Sequence, residues 1–255
     1  MSRSFFCILA FLVLVSSPLL ASDNIAEPHG PQGGWPHHGV TGTYDRAALQ
    51  RGYQVYKQVC STCHSIKLLS YRNLADLGFS EAEVKALAAE ATVRDGPNDD
   101  GEMFDRPGRP SDFIAKPFPN DQAARAANGG SLPPDLSLIV KARKKHEDYI
   151  YSLLMGYGKP VPAEEKIAQG MYYNPYFPGH QISMPPPLNE GAVTYADGTA
   201  STVEQQAKDV VEFLAWAAEP KLEVRKQTGL KVVLFLIVFA IVMYNVKRKV
   251  WSKLR

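Results

Sequence analysis

"QVCSTCH", residues 58–64, is the stretch whose reading decides the fold. Two cysteines separated by two residues, with a histidine immediately after, read as a covalent attachment site for c-type haem. On one turn of chain Cys60 and Cys63 can each add to a porphyrin vinyl group. His64 then falls beneath the iron, where an imidazole nitrogen can ligate it. Competing chemistries ask for more than the chain supplies. A structural zinc site needs four ligands, and no second cysteine pair is present. A thioredoxin-like redox pair would lie beside a βαβ pattern, which the surrounding sequence lacks.

Upstream of the motif, Leu49, Tyr53, Tyr56 and Cys60 recur at helical spacing, with Asp45 placed to cap. That predicts a helix over 44–60 running straight into the haem motif. Further helices are expected at 81–92, 121–127, 147–157 and 202–218, the last opened by a Thr202/Gln205 capping box and stopped by Pro220. Residues 95–134 and 158–200, dense in Pro and Gly, read as irregular loop. The single β candidate is a short hairpin at 193–199 turning on Asp197-Gly198. Residues 22–42 carry His29, His37 and His38 and read as an extended arm; without carboxylate or thiol partners nearby in sequence, an ordered surface loop is expected there. The fold class is mainly α, wrapped in long loops, with haem filling much of the core.

The sixth iron ligand separates an electron carrier from a reactive site, because a methionine thioether closes the iron and raises its potential. Met103 lies in a polar run, Met155 on an amphipathic helix suits core packing, and Met171 remains a candidate. Met184, in "PGHQISMPPPL", stands out because three prolines stiffen the loop that follows it. His180 is its rival, and an imidazole there would lower the potential.

Both ends of the chain are apolar. Residues 1–21 resemble a secretory signal peptide, with Arg3 as the n-region charge, Phe5–Val15 apolar and a cut after Ala21; cleavage also removes Cys7 and leaves two cysteines, both in the motif. The run 230–246, broken only by Lys231 and Asn245, is apolar all round and is followed by Lys247, Arg248, Lys249, Lys253 and Arg255, the basic cluster expected on a cytoplasmic face. The expected division is therefore signal peptide 1–21, exported haem domain 22–226, transmembrane helix 227–247 and basic tail 248–255. A composition of 45% hydrophobic and 21% charged residues with net charge +2 argues against nucleic-acid binding and disorder.

Several long segments matching in order make the chain resemble the cytochrome c1 family: "RGYQVYKQVCSTCHS", "DGPNDDGEMFDRPG", "AARAANGGSLPPDLS", "EDYIYSLLMGY", "YYNPYFPGHQISMPPPL" and "DGTASTVEQQAKDVVEFLAWAAEP", followed by one C-terminal anchor. The resemblance covers the chain from about Gly52 onward. It implies a modified class I cytochrome c fold with long loops and one C-terminal transmembrane helix, and a single covalently bound haem c with His64 and Met184 as axial ligands. It implies that Arg143 reaches a haem propionate and that Asn128, Pro133, Pro134 and Tyr149 line the haem pocket. It implies an electron-transfer subunit of an oxidoreductase complex, partnered by a cytochrome b subunit, a Rieske iron–sulfur protein as donor and a soluble or membrane-bound c-type cytochrome as acceptor. The complex is expected to be dimeric and to sit in a bacterial inner membrane with the haem domain periplasmic. The extra disulfide of some bacterial relatives is absent here, since its cysteines are missing. A peroxidase-type haem enzyme and a membrane-anchored sensor are the rival classes. The first needs an openable sixth site with acid–base groups above it, and the second a signalling domain after the span; neither feature is found. Acids between Asp76 and Asp105 are the expected docking surface for the acceptor.

Overall fold

In the computed structural model, which describes residues 25–252, two crossing helices organise the domain. Helix α1 (Arg46–Gln58) is opened by Asp45, whose carboxylate accepts from the amides of Ala47 and Ala48. Its buried face presents Leu49, Tyr53, Val55 and Tyr56, the helical stripe expected from the sequence. Those side chains meet α5 (Val203–Ala218), where Tyr53 and Tyr56 pack on Phe213 and Phe213 on Trp216. Gly52 permits the crossing: a Cβ there would lie 2.0 Å from the Asp209 carbonyl oxygen. Beside this contact the Arg51 guanidinium forks onto the fully buried Asp209 at 2.9 and 3.1 Å and reaches Asp197 at 2.8 Å.

Thr202 caps α5 through the Gln205 amide, but the reciprocal half of the expected box is not made; the Gln205 side chain donates to Asp209 instead. The buried carboxylate is the stronger acceptor, and this contact helps satisfy it. Between α1 and α5 in sequence come a 3₁₀ turn at Tyr71–Leu77, α2 (Glu81–Ala89) with a Ser80/Glu83 capping box, α3 (Asp121–Ala127) capped by Asn120, and α4 (His146–Met155), which packs on α5. Helix α2 stops three residues short of the expected end because Thr92 begins a strand.

Two expectations need correction. Residues 193–199 form no hairpin. The Asp197-Gly198 turn is made, but Val193 and Tyr195 are buried in the core and the Thr194 carbonyl is taken by Gln54 of α1. The strands lie elsewhere, in stretches read as loop: β1 (Thr92–Asp95) pairs antiparallel with β2 (Phe104–Pro107), and β3 (Tyr172–Tyr173) with β4 (Gln181–Ile182). Charge pairing holds the first hairpin, with Arg94 to Asp105 across the strands and Arg106 bound to both Asp95 and Asp112. The arm is a largely exposed loop as expected, but it is also anchored in the core. Trp35 and His37 are 5% and 2% exposed, and Trp35 Nε1 donates to Asp148 at the start of α4.

From Leu222 the chain runs as one helix, α6 (Leu222–Trp251), of 30 residues. At 1.5 Å per residue that is roughly 45 Å, enough to cross a hydrocarbon layer of about 30 Å. Its apolar side chains, from Leu230 to Val246, are about half exposed on every face, the condition of a helix that packs against something other than its own domain. Mainly helical with one long apolar C-terminal helix, the fold is of the expected class. The expected signal peptide and the last bases of the tail, Lys253 and Arg255, lie outside the described residues.

Candidate functional site

The haem motif sits where α1 gives out. After Gln58 the chain tightens into a 3₁₀ turn at Cys60–Thr62, and the Cys60 carbonyl accepts from both the Cys63 and His64 amides at 3.1 and 2.8 Å. Both thiols are free and half-buried, and burial pushes the Cys60 thiol up to about 12, so it is protonated rather than thiolate. Tyr56, one α1 turn earlier, donates to the His64 carbonyl and ties the motif back to the core.

The orientation of His64 is set from 70 residues away: its Nδ1 donates to the Pro134 carbonyl at 2.8 Å. That bond fixes the tautomer and leaves the Nε2 lone pair free, as in metal-ligating histidines, which donate their other ring N–H to a fixed acceptor. Burial holds the His64 imidazole below its ordinary pKa, so it is neutral and able to donate electrons. The 132–137 loop is stapled to the motif by more than this bond. Asp135 accepts from the Ser65 hydroxyl and the Lys67 amide, Leu136 N donates to Ser65 O, and Ser137 accepts from Leu68 N. Asp135 carried no signal in the sequence beyond following the two prolines.

Met184 is held by a hydrogen bond from just past the end of α4. This residue follows β4, whose pairing with β3 is anchored to α4 through Asn174, fully buried and donating to Leu153 O at 2.8 Å. Burial raises the phenol pKa of the half-buried Tyr149 of α4, and the nearby positive charge of Arg143 works against that rise. Tyr157, just past α4 and close enough to Tyr149 to feel it, donates to the Met184 carbonyl at 3.0 Å. Tyr157 was legible only as part of the α4 apolar stripe. Tyr157 and Met184 are thus tied directly, with Tyr149 and Arg143 near enough to act on one another's charge.

The other candidates fall into different places. Met103 is 46% exposed in the β1–β2 loop, and Met155 packs against the core cluster. Met171 lies in a turn closing on Ala168 O. His180 is held through Nδ1 by Glu165 at 2.5 Å. Asn128 ends α3 and turns its amide onto Ala124 O. Two free thiols, an imidazole with its Nδ1 proton assigned and a thioether on a braced loop are a donor set that fits haem c.

Such a donor set carried by a mainly helical domain, with one apolar helix leaving it, points to a c-type cytochrome of the single-anchor kind. Comparison with known proteins narrows this. The model of the cytochrome C1 family matches residues 35–254. A cytochrome c1 heme protein of potato mitochondria is 51% identical over 245 residues, covering 95% of this chain and 94% of its own. Cytochrome c1 of Rhodospirillum rubrum is 51% identical, with 87% of each chain covered. The Bradyrhizobium diazoefficiens protein named cytochrome b/c1 is 49% identical over 91% of this chain, which spans only 36% of that longer protein. The chain belongs to the cytochrome c1 family.

Proposed function

We propose that this chain is the electron-transferring haem subunit of a cytochrome bc1 complex, carrying one haem c attached covalently to Cys60 and Cys63 with His64 and Met184 as axial ligands. The observation that carries the reading is the His64 Nδ1 hydrogen bond to Pro134 O, which prepares an Nε2 ligand beside two free thiols on the same turn. Haem c, when bound, supplies a one-electron ferric–ferrous couple. The chain's residues do the rest. His64 is held rigid by Pro134, so its ligand geometry does not have to reorganise when the charge at the site changes. The Met184 thioether, a weak donor, favours the ferrous state and so a high potential. Arg143 offers its guanidinium to a propionate, and Asn128, Pro133, Pro134 and Tyr149 line the pocket.

The electron arrives from a Rieske iron–sulfur protein and leaves to a soluble or membrane-bound c-type cytochrome; quinol oxidation belongs to the cytochrome b subunit of the dimeric complex. The relatives named cytochrome c1 support the family's electron-transfer role, and the Bradyrhizobium protein whose name joins b and c1 supports the cytochrome b partner. Residues 1–21 are the signal peptide, 22–226 the periplasmic domain, 227–247 the span in a bacterial inner membrane and 248–255 the cytoplasmic tail.

Denaturing electrophoresis followed by haem staining tests the attachment. Wild type should carry the stain with its polypeptide, and Cys60→Ala/Cys63→Ala should lose it. A stain that stayed with the double variant would refute covalent attachment at these thiols.

A further inference from the structure

The arm before α1 brings together a second set of metal-type donors, none of them in the haem motif. His37 Nε2 lies 3.2 Å from Glu147 Oε1, and His38 Nε2 lies 3.6 Å from Glu147 Oε2. The three ligand atoms all fall within 4.8 Å of one another. A tetrahedral zinc ion with bonds of about 2.0–2.1 Å needs neighbouring ligand atoms roughly 3.3 Å apart. Each imidazole already stands about that far from its own oxygen of the Glu147 carboxylate, and the His38 side chain, 54% exposed, has room to turn and close the remaining edges.

The scaffold around these donors is fixed. His37 is 2% exposed, and its ring packs against Tyr44 with centroids 4.8 Å apart. Its Nδ1 is buried with no hydrogen-bond partner among the described residues. Lys226 Nζ clamps the arm by donating to His37 O at 2.6 Å and Gly42 O at 3.0 Å. Trp35 Nε1 fastens the same arm to Asp148, the residue after Glu147. The histidines and the carboxylate therefore come from segments 110 residues apart that are already locked together. One carboxylate thus faces two imidazole nitrogens.

We infer that His37, His38 and Glu147 form a binding site for a divalent transition-metal ion, linking the N-terminal arm to α4. Two imidazoles and one carboxylate select borderline ions such as Zn²⁺ over Mg²⁺ or Ca²⁺, which prefer all-oxygen sites.

The test is equilibrium dialysis of the full-length haem-loaded chain in detergent against Zn²⁺, with bound metal counted by mass spectrometry, alongside zinc-edge X-ray absorption. Wild type should bind one Zn²⁺ with two imidazoles and an oxygen donor. His38→Asn alters an exposed side chain and keeps the fold; it and Glu147→Gln should each weaken that binding at least tenfold. His146→Asn, whose Nδ1 faces Val140 O, should bind as wild type does. Isotherms for His38→Asn and Glu147→Gln that superimpose on wild type, a bound zinc with fewer than two imidazoles, or no stoichiometric zinc on wild type would each overturn the assignment.

Discussion

Replacing Gly52 by alanine tests the contact on which the haem motif is hung. A Cβ at position 52 would stand 2.0 Å from Asp209 O and 2.7 Å from both Asp209 C and Phe213 Cβ. Ordinary contacts need well over 3 Å, and the obstructing atoms are backbone or Cβ, so rotamer changes give no relief. The helices α1 and α5 must part by something on the order of 1 Å, a gap that forfeits a quarter to a half of the dispersion energy of each contact it opens. Overpacking of this kind costs about 1–3 kcal/mol, and this site belongs at the upper end. Alanine returns about 1 kcal/mol through its helix propensity. The same movement strains the Arg51 fork on Asp209, and breaking a buried ion pair outright would add roughly 3–5 kcal/mol. The expected net loss is therefore about 2 kcal/mol if the fork follows the movement, and about 5 or more if it breaks. Chemical unfolding of the detergent-solubilised protein, followed by the haem absorption band, measures it. Gly229→Ala is the control: it lies in α6 with nothing within 4 Å of its Cβ position, and should be neutral or slightly stabilising. An unfolding midpoint for Gly52→Ala at or above wild type would refute the close crossing.

The remaining predictions concern charge and topology. Arg106, helped by the Arg109 amide, holds the Asp112 carboxyl down to about 2. The stability this contributes is full above the ordinary value of 3.8 and is lost as pH falls toward about 2. Arg106→Gln should raise the Asp112 titration midpoint toward 3.8 in carbon-13 spectra of labelled aspartate; an unmoved midpoint would leave the Arg109 amide as the sole cause. In the acidic stretch 76–105, Glu81, Glu90, Asp95 and Asp105 are paired with Lys85, Lys57, Arg106 and Arg94, and Glu83 closes the α2 capping box. Asp99, Asp100 and Glu102 at the β1–β2 tip have no ion-pair partner among the described residues. Neutralising those three should flatten the ionic-strength dependence of electron transfer to the acceptor cytochrome, and an unchanged slope would exclude the tip as its docking surface. Protease added to cells with permeabilised outer membranes should digest the haem domain and spare the basic tail; the opposite pattern would reverse the topology.

What could be read from the sequence was local. The haem motif, the α1 and α5 stripes and the Asp45 and Thr202 caps are patterns of neighbours, and each appears in the structure near its expected place. The β1–β2 hairpin escaped because its strands are four residues long and joined by Arg–Asp pairs instead of alternating apolar side chains. At 193–199 the turn chemistry was right, yet a turn does not supply a partner strand, and α1 took the Thr194 carbonyl instead. The arm's anchors escaped for the same reason: the carboxylate that meets His37 and His38 lies on α4, far along the chain. The Pro134 and Tyr157 hydrogen bonds, which prepare His64 and brace Met184, are likewise long-range and leave no periodic trace.

The central claim is that Met184 closes the iron face opposite His64, and carbon monoxide binding to the reduced haem tests it most directly. Wild type should show no carbon monoxide spectrum at neutral pH. Met184→Leu, which offers no donor, should bind carbon monoxide while keeping its haem covalently attached through Cys60 and Cys63. If Met184→Leu stayed closed to carbon monoxide, the ligand would have to be His180 or another methionine, and the assignment of Met184 would be wrong.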